Sequence, residues 1–195
     1  MPIPLTEVEI MKYFLGFLAS IALIVLVVFL IIRGFSGGGS TAKELKPLTD
    51  YANTQTEVSM LVDGPINANQ THNAYKITVG RNAATIETFQ GYEQTVVDTR
   101  SYDNNIDSYR SFLAALDLAG FGKGDTSMAK KDPVGTCATD DRIIMGIDNG
   151  TDTIQNFWTT TCKTKGNFRG SLPQVAQLFK AQAPDYDVLA RGLNL

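Results

Sequence analysis

The chain has little of the residue types from which most catalytic and metal sites are built. Its 195 residues include one histidine and two cysteines, so a metal site with two histidine ligands cannot form within one chain. Positive charge is not in excess, because 17 Lys and Arg residues stand against 20 Asp and Glu residues. This balance gives no positive field to displace counterions from phosphates, which argues against general nucleic-acid binding. We predict no cofactor, no metal ion and no nucleic-acid partner.

Apolar residues are concentrated in one long run near the N-terminus. Of the 20 residues from Tyr13 to Ile32, 18 are apolar, and none is charged or proline. As a helix this run spans roughly 30 Å, the thickness of a bilayer hydrocarbon core. We therefore predict a transmembrane helix over residues 13–32, after a short tail over residues 1–12. The run is too long for a typical signal peptide, and the tail is acidic, so we expect an uncleaved signal anchor.

Two features bear on the orientation of this anchor. Lys12 precedes the apolar run and three basic residues follow it between Arg33 and Lys46, which taken alone favours a cytoplasmic C-terminal domain. Long domains, however, translocate largely regardless of such counts. An isolated pair of cysteines, Cys137 and Cys162, is typical of a disulfide in an oxidising compartment. We predict a single-pass protein of the cell membrane with its C-terminal domain outside the cytoplasm.

The remaining chain divides into a linker and one domain. Residues 33–55 form a Gly/Ser-rich linker and juxtamembrane segment, and residues 56–195 form the domain. Alternating apolar and polar residues predict strands over 56–62, 74–80, 83–90, 92–99, 142–148 and 153–161. Apolar residues at helical spacing predict helices over 106–119 and 171–183. We predict an α+β fold, an antiparallel sheet with one face covered by two amphipathic helices.

The last two predicted strands form a hairpin with two admissible registers. A two-residue turn at Asn149-Gly150 places Cys137 directly opposite Cys162. A four-residue loop instead pairs Ile143 with Trp158. In either register the cysteines lie within about one residue pair of each other, which suits the Cα separation of about 5.5 Å in a disulfide. Such a bond would contribute about 3.5 kcal/mol by closing the loop between the two cysteines.

Several patterns that resemble functional motifs have simpler interpretations. The G-x-S-x-G pattern at residues 34–38 follows the predicted membrane helix and not a strand, so it is linker and not a nucleophile elbow. The run from Asp103 to Asp107 opens like a calcium loop, but Ala114 stands in place of the bidentate glutamate. His72 lies in a polar segment, where we expect a solvated side chain.

The best candidate for a contact surface is the strand that holds two adjacent aromatic residues. Phe157 and Trp158 point to opposite faces of a strand, so one of them faces away from the core unless both are buried between sheet and helices. The long polar loop over residues 122–141 adds three basic residues to this candidate surface: Lys123, Lys130 and Lys131.

Two segments resemble known groups of proteins. The tail, with Phe157-Trp158 leading to Cys162 and then Leu178 to Tyr186, resembles the C-terminal end of uncharacterised single-pass envelope proteins from ultrasmall candidate-phylum bacteria. This resemblance implies a location in the cell envelope and no assigned activity. The run from Lys12 to Phe17 is more weakly similar to the cleavage site of type IV pilins. Ile21, however, stands where pilins have a glutamate, and the glycine-rich linker interrupts the long helix of a pilin.

These observations predict a membrane-anchored, non-catalytic extracytoplasmic domain that binds another envelope protein or a surface ligand. Its partners would be the lipid bilayer, through Tyr13 to Ile32, and an envelope protein. Two alternatives remain. One is a pilin-like minor structural subunit, and the other is a carboxylate-based cell-surface hydrolase using Asp140, Asp141 or Asp148.

Overall fold

The computed structural model describes residues 46–125, 133–162, 164 and 166–193. The predicted transmembrane segment, the glycine-rich linker, and Lys130 and Lys131 lie outside this range. Within it, no helix is both long enough and apolar enough to cross a membrane. The described strands are β1 Thr56–Asp63, β2 Asn73–Val79, β3 Ala83–Gln90, β4 Thr95–Asp103, β5 Arg142–Asn149 and β6 Asp152–Thr160. The described α-helices are α1 Ile106–Leu118, α2 Leu172–Lys180 and α3 Tyr186–Arg191, and two 3-10 turns cover Leu48–Tyr51 and Asn69–Thr71.

The six strands form one antiparallel sheet in the order β4-β3-β2-β1-β5-β6. The first four strands follow one another as a meander, and the β5–β6 hairpin adds to the other side of β1. The first strand therefore lies inside the sheet, between β2 and β5. The antiparallel sheet with helices confirms the predicted α+β class.

One face of the sheet carries the core. Alternate residues of neighbouring strands share this face, for example Met60 opposite both Ile77 and Met145, and all three are fully buried. Helices α1 and α2 pack over this face and against each other, with the rings of Phe112 and Phe179 in edge-to-face contact and their centroids 5.3 Å apart. Both helices belong to the same buried cluster as the strands.

The β5–β6 hairpin follows the second predicted register only next to its turn, where Asp148 pairs with Thr153. Asn149 pairs with Asp152 around a two-residue loop, but a bulge next to Ile147 shifts the rest of the hairpin by one residue. Trp158 consequently lies opposite Ile144 and not Ile143. A shift of one residue moves a side chain to the other face of a sheet, so Trp158 lies on the face away from α1 and α2.

The third and fourth strands are joined by a longer turn than the sequence suggested. The predicted strand over 92–99 begins only at Thr95, because Gly91 and Gln94 both have positive φ, of 76° and 53°. Residues in this left-handed conformation end the extended run. The strand then continues to Asp103, beyond the predicted end.

The two cysteines meet as predicted. Cys137 and Cys162 are within disulfide-bonding distance, with Cα atoms 5.9 Å apart. The pair joins the segment before β5 to the segment after β6, and so it closes the open end of the hairpin.

A candidate binding groove between two helices

A groove that could receive a ligand lies between α1 and α2, within the described part of the chain. Its volume is about 420 Å³, within the range of roughly 300–1,000 Å³ seen for small-molecule sites. The groove is lined by Ala115, Leu118, Ala119, Gln174, Gln177, Leu178 and Ala181. None of these side chains is charged, so the groove offers apolar contact bordered by two amides.

The second helix presents two stripes of side chains, and only one of them is needed by the core. Val175 and Phe179 lie four residues apart and are completely buried against the sheet and α1. Gln174 and Leu178 are also four residues apart, but they line the groove, with Gln174 exposed and Leu178 half-buried. Residues at this spacing share one side of a helix. The groove stripe is therefore continuous along α2 and adjacent to the core stripe.

The first helix ends in a way that leaves a leucine at the rim of the groove. Gly120, with φ of 78°, follows the helix, and the Phe121 amide donates to the Leu116 carbonyl at 2.9 Å, as in a Schellman ending. This turn returns the chain to the core, where Phe121 is completely buried. Leu118, in the last turn, is 89% exposed.

Close backbone contacts fix the end of α1 against the start of α2. The Ser171 amide donates to the Ala119 carbonyl at 2.9 Å. A Cβ atom on Gly170 would lie 2.3 Å from the Gly120 carbonyl oxygen, which shows that the two glycines are in direct contact. This end of the groove is built from backbone atoms that cannot separate without breaking a hydrogen bond. The groove is therefore held in its shape at this end.

A second cluster, of charged side chains, lies on the opposite face of the sheet. The Asp63 carboxylate accepts from Arg142 Nε and Nη2 at 2.9 and 2.7 Å and lies 2.8 Å from His72 Nε2. The other ring nitrogen of His72 lies 3.0 Å from the Pro65 carbonyl oxygen, and Tyr92 stacks on the ring. Both ring nitrogens are occupied by protein oxygens, so the ring has none left to activate a nucleophile. This network ties β1 and β5 to the segment between β1 and β2 and to the turn after β3.

The prediction that His72 is solvated is therefore wrong. The ring is 2% exposed, because it fits between Asp63 and Tyr92. Asp63 closes β1, nine residues earlier, and Tyr92 lies in the turn after β3. Neither lies next to His72 in sequence, so only the register of the sheet brings the three together.

A third polar cluster attaches α3 to the sheet and was not foreseen from the sequence. The hydroxyl oxygens of Tyr75 and Tyr186 are 3.3 Å apart, and Lys180 Nζ lies 4.6 Å from the centre of the Tyr186 ring. Burial raises the pKa of Tyr75 above its ordinary value, with the hydrogen bond to Tyr186 as the second cause. The cluster holds α3 by a hydroxyl contact and a cation–π contact.

The three carboxylates considered for a hydrolase do not form one site. Asp140 and Asp141 precede β5, whereas Asp148 lies near its other end. Asp148 lies seven positions after Asp141 along an extended chain, a distance of roughly 23 Å. Burial and the neighbouring charge of Asp140 raise the pKa of Asp141, whereas Asp148 accepts a hydrogen bond from Thr153 at 2.8 Å. Asp148 therefore cannot act on the same bond as the other two.

The predicted contact surface is only partly present at the surface. Lys123 is exposed, whereas Phe157 and Trp158 are 1% and 6% exposed. The two rings lie on opposite faces, as predicted, but each is covered by a glycine: Gly124 packs on Phe157 and Gly166 on Trp158. Neither ring is available as an exposed contact, which corrects the aromatic part of that surface. The positions of Gly124 and Gly166 in the sequence do not indicate that they pack on these two rings.

Within the described part of the chain, no group of three or more His, Cys, Asp or Glu side chains is arranged to hold a metal ion. In comparisons with known proteins, no family model matches the chain, and no curated protein matches it. A proposal about function must therefore be based on the geometry of the groove, the charged network and the disulfide.

Proposed function

We propose that this protein is a membrane-anchored extracytoplasmic binding domain whose groove between α1 and α2 receives an apolar side chain from a helix of an envelope protein. The observation that carries the proposal is the combination of an uncharged groove with a leucine that is 89% exposed at its rim. Amphipathic helices bind proteins by placing their apolar face in such a groove.

The lining of the groove favours a helix as its ligand. Three of the seven lining residues are alanines, whose small side chains allow the backbone of a second helix to approach closely. Gln174 and Gln177 are exposed at the border, where their amides can both donate and accept hydrogen bonds. A ligand with an apolar centre and polar edges matches this arrangement, which resembles the apolar core and polar rim of protein interfaces.

The rest of the chain supports the location. The apolar run from Tyr13 to Ile32 is long enough for a membrane helix, and the glycine-rich residues after it would give the domain reach above the bilayer. Cys137 and Cys162, within bonding distance, fit an oxidising compartment. A domain restrained in this way meets other envelope proteins at a raised effective concentration, so a small groove can suffice.

Photo-crosslinking tests the groove directly. A photoreactive amino acid would replace Leu118 in the full chain, which would be expressed in the membranes of its native cells. After irradiation the adducts would be identified by mass spectrometry. We expect one discrete protein adduct, which disappears when Leu178→Glu adds a charge to the groove. The matched control places the same amino acid at Val188, an aliphatic residue of α3 that is 66% exposed and does not line the groove. The same adducts from both positions, or none from Leu118, would contradict the proposal.

Thiol labelling of whole cells tests the location separately. We expect Cys137 and Cys162 to react with a membrane-impermeant reagent only after treatment with a reductant, because they are joined outside the cytoplasm. Two thiols that react without reductant, and only after lysis, would place the domain inside. That result would remove the extracytoplasmic part of the proposal and leave the groove to be tested by crosslinking.

A further inference from the structure

The two edge strands of the sheet, β6 and β4, differ in how far they are covered by other parts of the chain. The segment that follows β6 covers its outer edge: the Trp158 amide donates to Asn167 Oδ1 at 2.7 Å, and the Phe168 amide donates to the Trp158 carbonyl at 3.1 Å. At the other edge, every residue of β4 is exposed or half-buried. Val96 and Val97 are 51% and 63% exposed there. No strand in the described part of the chain pairs with the outer side of β4, and an edge strand of this kind presents unpaired amides and carbonyls to another strand.

The charges on β4 match a second copy of the same strand. Asp98 and Arg100 lie two residues apart and therefore on the same face, where they contact each other at 3.1 Å. In an antiparallel pair centred on Thr99, Asp98 of each copy lies opposite Arg100 of the other. Opposite charges directly across a strand pair are favourable, and like charges are unfavourable.

The neighbouring registers are excluded by the same charges. A two-fold axis that makes one continuous sheet keeps corresponding faces together, so residues on one face pair only with residues on that face. Centring the pair on Asp98 would place the two aspartates opposite each other, and centring it on Arg100 would do the same for the arginines. Thr99 is also the middle residue of Thr95–Asp103.

A bulge limits the length of regular pairing. Thr88 pairs with Asp98 while Phe89 pairs with Val96, so Val97 is an extra residue in β4. Regular pairing between copies is then confined to Asp98, Thr99 and Arg100, which is where the charge match occurs. The exposed valines lie just outside these residues.

We propose that two copies of the chain associate through their β4 strands, antiparallel and centred on Thr99, to give one continuous sheet. This proposal does not rest on the groove or on the location of the domain. A two-fold interface of this kind is the commonest symmetry among protein oligomers, and edge pairing supplies backbone hydrogen bonds.

Cysteine crosslinking of the full chain in detergent tests the register. In the Thr99→Cys variant the new cysteines lie opposite each other, with Cβ atoms about 4.5–5.5 Å apart, so mild oxidation should give a covalent dimer. Ser101→Cys is the matched control, because it shares an exposed position in the same strand, but its two copies would lie roughly 14 Å apart. The original cysteines are paired, and the unsubstituted chain controls for their exchange. A dimer from Ser101→Cys that equals or exceeds that from Thr99→Cys would overturn the proposal, as would no dimer from either.

Charge reversal tests the reason for the register. In the Thr99→Cys background, Arg100→Asp leaves only acidic residues at the contact, and Asp98→Arg leaves only basic ones. Each should crosslink roughly tenfold more slowly alone, and a mixture of the two should recover the original rate as a mixed dimer. Melting curves of each variant would check that the fold is intact. Equal rates for the separate and mixed variants would refute the charge match and with it the proposal.

Discussion

The charged network around Asp63 gives the sharpest prediction for stability. Its carboxylate is the only carboxylate partner of Arg142 within the described part of the chain, and Arg142 is 3% exposed. Asp63→Ala would leave a buried guanidinium without its counter-charge. Removing one member of a buried ion pair costs about 3–5 kcal/mol. Asp63 itself is 20% exposed, so water can reach the vacated position, and we expect the lower end, about 3 kcal/mol.

A matched control separates burial from charge. Asp107 also contacts an arginine, Arg110, at 3.2 Å, but its side chain is 86% exposed. Asp107→Ala should lower the free energy of unfolding by only about 0.5 kcal/mol, as for other exposed helix pairs. The difference between the two aspartates should therefore be about 2.5 kcal/mol, which the burial of Arg142 explains.

Denaturant unfolding of the full chain in detergent measures both values. Trp158 is the only tryptophan and is 6% exposed, so its fluorescence reports loss of the fold at the face that carries the network. The double variant Asp63→Leu with Arg142→Met should be more stable than Asp63→Ala, because both charges are then absent. If Asp63→Ala costs no more than Asp107→Ala, or the double variant is less stable than Asp63→Ala, the account of this network is refuted.

Three further changes have defined outcomes. Gly124→Ala would place a Cβ atom 2.1 Å from the Phe157 ring and should cost about 1–3 kcal/mol in denaturant unfolding; an unchanged midpoint would contradict the packing. Cys162→Ser should lower the free energy of unfolding by about 3.5 kcal/mol through loss of the bond to Cys137. The variant should be as stable as the parent protein after reduction, and a variant as stable as the oxidised parent would contradict this prediction. Burial raises the pKa of Asp141, so the folded state binds its proton more tightly than the unfolded state, and stability falls as pH rises through the raised value. Asp141→Asn should therefore gain stability relative to the parent between pH 3 and pH 7 as measured by thermal melting, and a constant difference would contradict this.

Local patterns in the sequence predicted most of the secondary structure, because periodicity depends on which face of an element is buried. The helix over 106–118 illustrates this: Asn105 caps its first turn by accepting from two backbone amides, and the spacing of Tyr109, Phe112 and Leu116 gives one buried side. The cysteine pairing also followed from the hairpin, since both registers brought the two residues close together.

Local patterns could not predict features that depend on one inserted residue or on partners distant in sequence. The bulge beside Ile147 leaves no periodic signal, yet it decides which face Trp158 occupies. The burial of His72 requires Asp63 and Tyr92, which only the sheet brings together. The groove likewise forms between helices more than fifty residues apart in sequence, α1 and α2. Each of these is a tertiary effect that a single segment cannot encode.

The central position of β1 has a consequence for the order in which the domain is completed. Its partner β2 follows within ten residues, but its other partner, β5, begins with Arg142, which pairs with Asp63 at a separation of 79 residues. Hairpins of short separation close early, and distant pairings close late. While the chain is being made, β1 to β4 can assemble before β5 exists, which leaves one side of β1 open. That nascent intermediate would expose an apolar strand edge, and its lifetime, set by the arrival of the last fifty residues, should govern the yield of folded protein.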